Sequence, residues 1–197
     1  MAFFTAIGGE IKFIPFEDGP FRFGLGSIIF FFALLIRPLP IITTGLLTGM
    51  VVIIGRSLLD FLIYGQALSV QLLEHLPAGI FYITFALCFK LIALDELKKH
   101  PLILGLLGTL FEVISNMVEY ILTELLLVSD QETLISFLLF IVVGLLRSFF
   151  VVGIYSIITM SEQQKQLKQL MTIHSELYVE ALYLKKTMNQ IEQLTAN

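Results

Sequence analysis

Six apolar stretches fill roughly the first 160 residues of this chain, and a polar, heptad-patterned tail follows them. An apolar run of about 18 residues or more reads as a bilayer span, because lipid obliges every backbone amide and carbonyl to find its partner within the segment. A heptad tail has the opposite tendency and pairs with another helix in water. The join near Met160-Ser161 therefore divides the sequence into a membrane bundle, 1–160, and a cytoplasmic helix, 161–197. The fold class expected is all-α: six transmembrane helices followed by a C-terminal coiled coil.

Composition narrows the class. Hydrophobic residues make up 57% of the chain and charged residues 14%, against about 25% charged in a soluble domain, and the mean hydropathy is +0.91. A net charge of −4 offers no basic face for nucleic acid. Cys88 is the single cysteine, so no intrachain disulfide forms, and its place in an apolar run makes it a small core hydrophobe. The N-terminus lacks the basic region and cleavage site of a signal peptide, which leaves Met1 onward as mature chain.

The apolar segments are about 1–14, 24–36, 41–63, 77–94, 101–127 and 133–160. The first two are short: about 14 helical residues cover roughly 21 Å of a ~30 Å hydrocarbon core. Orientation follows from the basic residues. Arg37 follows span two, Lys90, Lys98 and Lys99 surround the join of spans four and five, and Lys165 and Lys168 follow span six. The connections 64–76 and 128–132 hold no Lys or Arg, and Asp130 and Glu132 mark the latter. Six crossings of the plasma membrane with both termini cytoplasmic satisfy this bias. Lys12 and Arg22 then fall outside, balanced by Glu10, Glu17 and Asp18.

Breakers sit where spans end. Pro15 and Gly19-Pro20 close the first, Arg37-Pro38-Leu39-Pro40 turns the chain between spans two and three, and Pro77 and Pro101 open spans four and five. Residues 64–76 read as a short amphipathic surface helix, with Leu68, Leu72, Leu73 and Leu76 on one side and Glu74 and His75 at the headgroups.

Ionisable groups inside a span are costly and face a cavity or a partner. Arg56 and Asp60 share a face of span three, a spacing that allows an intrahelical ion pair. Glu112, Asn116, Glu119 and Thr123 form one polar stripe on span five, and Arg147 and Ser148 lie near the middle of span six. Three readings stand: Glu112 or Glu119 pairs with Arg147 to hold the bundle together; Arg56, Asp60, Glu112, Asn116, Glu119 and Arg147 line a pocket for a small polar solute; or the set carries protons or ions. Carboxylates suit an amine and the arginines a carboxylate, so an amino acid would satisfy both. Gly45 and Gly49 form a GxxxG motif, a signal of close helix packing.

In the tail, Leu167, Leu170, His174, Leu177, Ala181, Leu184, Met188, Ile191 and Thr195 alternate in steps of three and four, a seam suited to a parallel homodimer. The weaker members, His174, Ala181 and Thr195, recur at the position alternating with leucine, so the seam is marginal and able to shift. His174 sits where a histidine sets register or titrates near neutral pH. No glycine-rich nucleotide loop, metal-ligand spacing or Ser-His-Asp set occurs, so neither a cofactor nor a catalytic centre is expected.

The stretch Phe21 to Phe30, Arg37-Pro38, Thr44 to Met50 and the run from Arg56 to Asp60 resemble the membrane sensor region of Bacillus-type sensor histidine kinases. The same block is similar to the S components of energy-coupling-factor vitamin transporters and to the membrane sensors of LytS-type kinases. The resemblance implies a six-helix bundle with an outward-facing ligand pocket and, in the kinase reading, a dimeric signalling helix. A transporter component is the alternative function, which the long tail disfavours. A histidine kinase continues into a phosphoacceptor helix and an ATP-binding domain, whereas this sequence stops at Asn197. It reads either as a piece of a longer kinase or as a short relative, and kinase activity belongs to the part not present.

Overall fold

The computed structural model describes residues 1–10, 12–13, 23–36, 40–65, 67–92, 94–127 and 133–195, with backbone alone at 10, 12, 13, 23, 127, 133–137, 190 and 192–195. The described residues are almost wholly helical: α1 (Ala2–Glu10), α2 (Gly26–Ile36), α3 (Ile41–Tyr64), α4 (Leu68–Lys90), α5 (Leu94–Leu97), α6 (Pro101–Leu127) and α7 (Thr133–Thr195). A two-residue strand pair joins α1 to α2, with β1 (Lys12–Phe13) antiparallel to β2 (Phe23–Gly24). Two compact units emerge, Met1–Tyr155 and Ser156–Asn197.

Four helices among the described residues are long and apolar enough to cross a membrane: α3, α4, α6 and the apolar part of α7. This is a membrane protein. Of the six spans expected, the first two appear as helices of 9 and 11 residues. Each covers about 14–17 Å, roughly half of a hydrocarbon core.

The boundaries of α3 and α6 match the sequence pattern because nothing interrupts their apolar runs and Pro101 sits at the first turn, where its missing N–H costs nothing. The stretch before Pro77 does not. In place of a separate surface helix over 64–76 and a span opening at Pro77, one helix runs from Leu68 to Lys90 with Pro77 buried inside it. Pro77 is the one proline in that run, and membrane helices tolerate proline where neighbouring groups satisfy the freed backbone. α3 ends at Gly65, whose φ of 66° lies in the left-handed region and whose N–H donates to Phe61 O at 3.0 Å. A tight reversal into α4 results.

The first unit is held by small residues and aromatic rings. Lipid tails are as apolar as leucine, so helices in a bilayer gain by fitting together closely. The GxxxG pair of α3 does this against α4. A Cβ on Gly49 would lie 2.7 Å from Gly79 O, and one on Gly45 would run into the Ala86 side chain. α4 in turn carries Phe81, Phe85 and Phe89 at helical spacing. Phe85 meets Phe31 edge-on at 5.7 Å, and Phe89 meets Phe111 edge-on at 4.9 Å. The core thus links α2, α4 and α6, and Val151 and Val152 add α7 to it. α1 packs on α2 and α3.

The second unit is the remainder of α7. Its seam side chains Leu167, Leu170, His174, Leu177, Ala181, Leu184, Met188 and Ile191 are all exposed, as are Met171, Ile173 and Tyr178. The expected roles of Lys12, Glu10, Pro15, Glu17, Asp18, Gly19-Pro20, Arg22, the Arg37-Pro38-Leu39 turn, Asp130 and Glu132 fall on residues or side chains outside those described.

Candidate functional site

A cavity of about 380 Å³ lies in the first unit, toward the end where α3 turns into α4. Its volume is in the range of small-molecule pockets. Gly9 of α1, Gly24 of β2 and Gly26 of α2 form one side, together with Ser27 of α2 and Arg56 of α3. α4 contributes Glu74, His75, Phe81 and Tyr82; α6 contributes Asn116, Glu119 and Thr123; α7 contributes Arg147.

Beside the cavity lies a buried ionic joint. Glu112, 2% exposed, accepts a hydrogen bond at 2.9 Å from Arg147 Nη1 and one at 3.1 Å from Ser27 Oγ on the same carboxylate oxygen. Its other oxygen accepts from Ser148 Oγ at 3.5 Å. One carboxylate of α6 therefore ties α2 and α7 together. Glycine stands at the tightest of these contacts: a Cβ on Gly108 would lie 2.9 Å from the Phe31 ring and 3.1 Å from Ser148 Oγ. The expected partnership of Glu112 with Arg147 is present.

Across the cavity, Arg56 Nη2 donates to Gly9 O at 3.1 Å, and a side chain at residue 9 would collide with that guanidinium. The intrahelical Arg56–Asp60 pair that the spacing suggested gives way to a contact between helices. Asp60 Oδ2 lies 2.8 Å from His75 Nε2, across the α3–α4 turn. The tight reversal at Gly65 brings the end of α3 beside the start of α4, so the carboxylate meets a ring there. Asp60 thus stands behind the wall rather than in it, holding a residue that is in it.

Glu119 faces the cavity, and its carboxylate has no hydrogen-bonded partner among the described residues. It lies in the fields of both Arg56 and Arg147. One turn away, Asn116 Nδ2 is anchored on Glu112 O at 2.8 Å, and Thr123 Oγ1 donates to Glu119 O at 2.9 Å. The wall offers guanidinium donors, an unpartnered carboxylate and two aromatic surfaces within one small volume, which suits a compact polar solute.

Of the six sequence-derived candidates, Arg56, Asn116, Glu119 and Arg147 line the cavity. Glu112 lies behind Arg147 and Asp60 behind His75. The sequence reading missed Ser27, His75, Phe81 and Tyr82. Tyr82 carried a usable signal, a hydroxyl within an apolar run; its ring packs edge-on to Phe30 at 5.3 Å, and its hydroxyl occupies space that a side chain at Gly26 would take. From sequence alone Glu74 and His75 look like headgroup residues, because Pro77 suggests a span that opens after them. Among the described residues, no group of three or more His, Cys, Asp or Glu side chains is arranged to hold a metal.

Fold and cavity together describe a helical membrane protein with, among the described residues, four helices long and apolar enough to span a bilayer and a polar-lined cavity. The chain is similar to the sensor histidine kinase GlnK of Bacillus subtilis (strain 168), with 31% identity over 202 aligned positions. The alignment covers 96% of this chain and 48% of that kinase, so the chain spans about half the length of the curated relative it matches. The expected resemblance to a Bacillus-type sensor histidine kinase is thus found across nearly the whole chain. No family model and no solved structure matches it.

Proposed function

We propose that this chain is the signal-sensing membrane module of a two-component sensor histidine kinase. In this reading the cavity receives a small polar solute, and α7 carries the response into a dimeric cytoplasmic helix. The carrying observation is the coincidence of the polar cavity with similarity, end to end, to about half of a sensor histidine kinase. Phosphotransfer would belong to the other half, as would the choice of response partner.

The module sits with the cavity outward and both termini in the cytoplasm. Support comes from Lys90, Lys98 and Lys99, which lie at the end of α4 and in the connection to α6, remote from the cavity-lining start of α4. Lys98 and Lys99 pair with Asp95 and Glu96, at 3.0 and 2.8 Å. That does not weaken the argument, because the orientation bias counts Lys and Arg rather than net charge. The short helices α1 and α2 complete the six-crossing scheme as half-length elements around the site.

In water the exposed seam from Leu167 to Ile191 takes a second copy of the chain as its partner. A difference of a few kcal/mol in affinity for two bundle states suffices to shift the population. The test is to fuse residues 1–197 to the kinase half of a relative and to screen small polar solutes for changed autophosphorylation. Glu119→Gln is expected to abolish the response while membrane insertion persists. A fusion whose output ignores both the solutes and that substitution would refute the proposal.

A further inference from the structure

Among the described residues lining the cavity, α7 contributes Arg147 and nothing else. The same guanidinium holds Glu112, the carboxylate that also gathers Ser27 of α2 and Ser148 of α7. One side chain thus belongs to the cavity wall and to the clasp fixing α7 against α6. We infer that Arg147 is the residue through which the state of the cavity reaches α7: an oxyanion entering the cavity takes the guanidinium from Glu112 and lets α7 shift. This rests on the cavity being a ligand site, as proposed above, and adds how occupancy is read.

The chemistry favours exchange over simple addition. A guanidinium presents five N–H donors in a planar fork and binds carboxylate or phosphate oxygens in pairs, so a second oxyanion competes with the first for the same donors. Arg147 is 8% exposed and Glu112 2%. Loss of the guanidinium leaves a carboxylate buried among two hydroxyls, a poorly compensated charge. The clasp therefore has two distinct arrangements, closed on Glu112 or opened onto a ligand. Packed elements switch between such arrangements by helix shifts of about 1–2 Å.

The test uses the full chain in lipid nanodiscs on a Cys88→Ala background. Spin labels at the lipid-exposed positions Leu110 and Leu146 report on α6 against α7, and labels at Met50 and Leu87 report on α3 against α4 as a control. Acetate and inorganic phosphate serve as separate oxyanion probes. Either is expected to move the α6–α7 distance by about 1–2 Å in the parent and in Arg147→Lys, and to leave Arg147→Gln and the control pair unmoved. Glu112→Asp, which shortens the clasp while keeping its charge, is expected to produce the same displacement without a probe. A parent chain that moves with neither probe overturns the inference, as does an equal response in Arg147→Gln. The cavity reading is checked separately: the Thr123→Cys variant must react with a small water-soluble thiol reagent. A closed cavity would overturn both readings, whereas an open cavity without movement overturns only the coupling.

Discussion

At the scale of single residues, the chain places its charges where each has a defined task. Glu112 and Arg147 are an interior pair whose worth lies in both being present. Breaking a buried pair by removing one partner costs about 3–5 kcal/mol, because the survivor keeps its desolvation penalty. Arg147→Gln is therefore expected to lower thermal stability in detergent markedly. The double change Glu112→Gln with Arg147→Gln should recover much of the loss, and melting curves of the three proteins decide it. Ser27→Ala removes one hydrogen bond to the same carboxylate. An effect of about 1.5–3 kcal/mol is expected, the range for bonds to a charged group. The carboxylate of Glu119, in contrast, makes no hydrogen bond among the described residues, so Glu119→Gln should leave the melting temperature nearly unchanged while altering what the cavity accepts.

At the scale of helices, the α3–α4 pair depends on two backbones meeting at Gly49 and Gly79. A side chain at residue 49 would sit 2.7 Å from Gly79 O, against backbone that has nowhere to retreat. Gly49→Leu is expected to separate the helices, with a loss of at least the 1–3 kcal/mol typical of overpacking. Limited proteolysis at the Gly65 turn gives the readout. These elements were legible in the sequence to different degrees. α3 and α6 were readable because a long apolar run opening directly after Pro40 or at Pro101 leaves one solution. The polar stripe of α6 was readable because residues four apart share a face. The start of α4 was not, because Glu74 and His75 look like surface residues until α3 is seen delivering Asp60 to His75. Nor was the aromatic ladder of Phe81, Phe85 and Phe89 recognised, since a lipid-facing helix and a buried one have the same composition. Which face turns inward is decided by the neighbours.

At the scale of the whole molecule, the two units are built on different principles. The first buries a polar cluster around Glu112 and Arg147 within an apolar core, and the second exposes a leucine-rich seam along its helix. Replacing Leu170 and Leu177 by lysine should abolish self-association of the detergent-solubilised chain, measured by sedimentation, without changing the fold of the bundle. Changing His174 to leucine should tighten it. Stability is expected to be uneven within the bundle as well, with Pro77 marking the boundary. Having no amide hydrogen, it leaves the Leu73 carbonyl without its rung in the helical ladder, beside Glu74 and His75 at the cavity wall. Solvent reaching that carbonyl would loosen residues 68–76 before residues 78–90, so deuterium uptake should begin in the outer third of α4 and stop sharply at the proline.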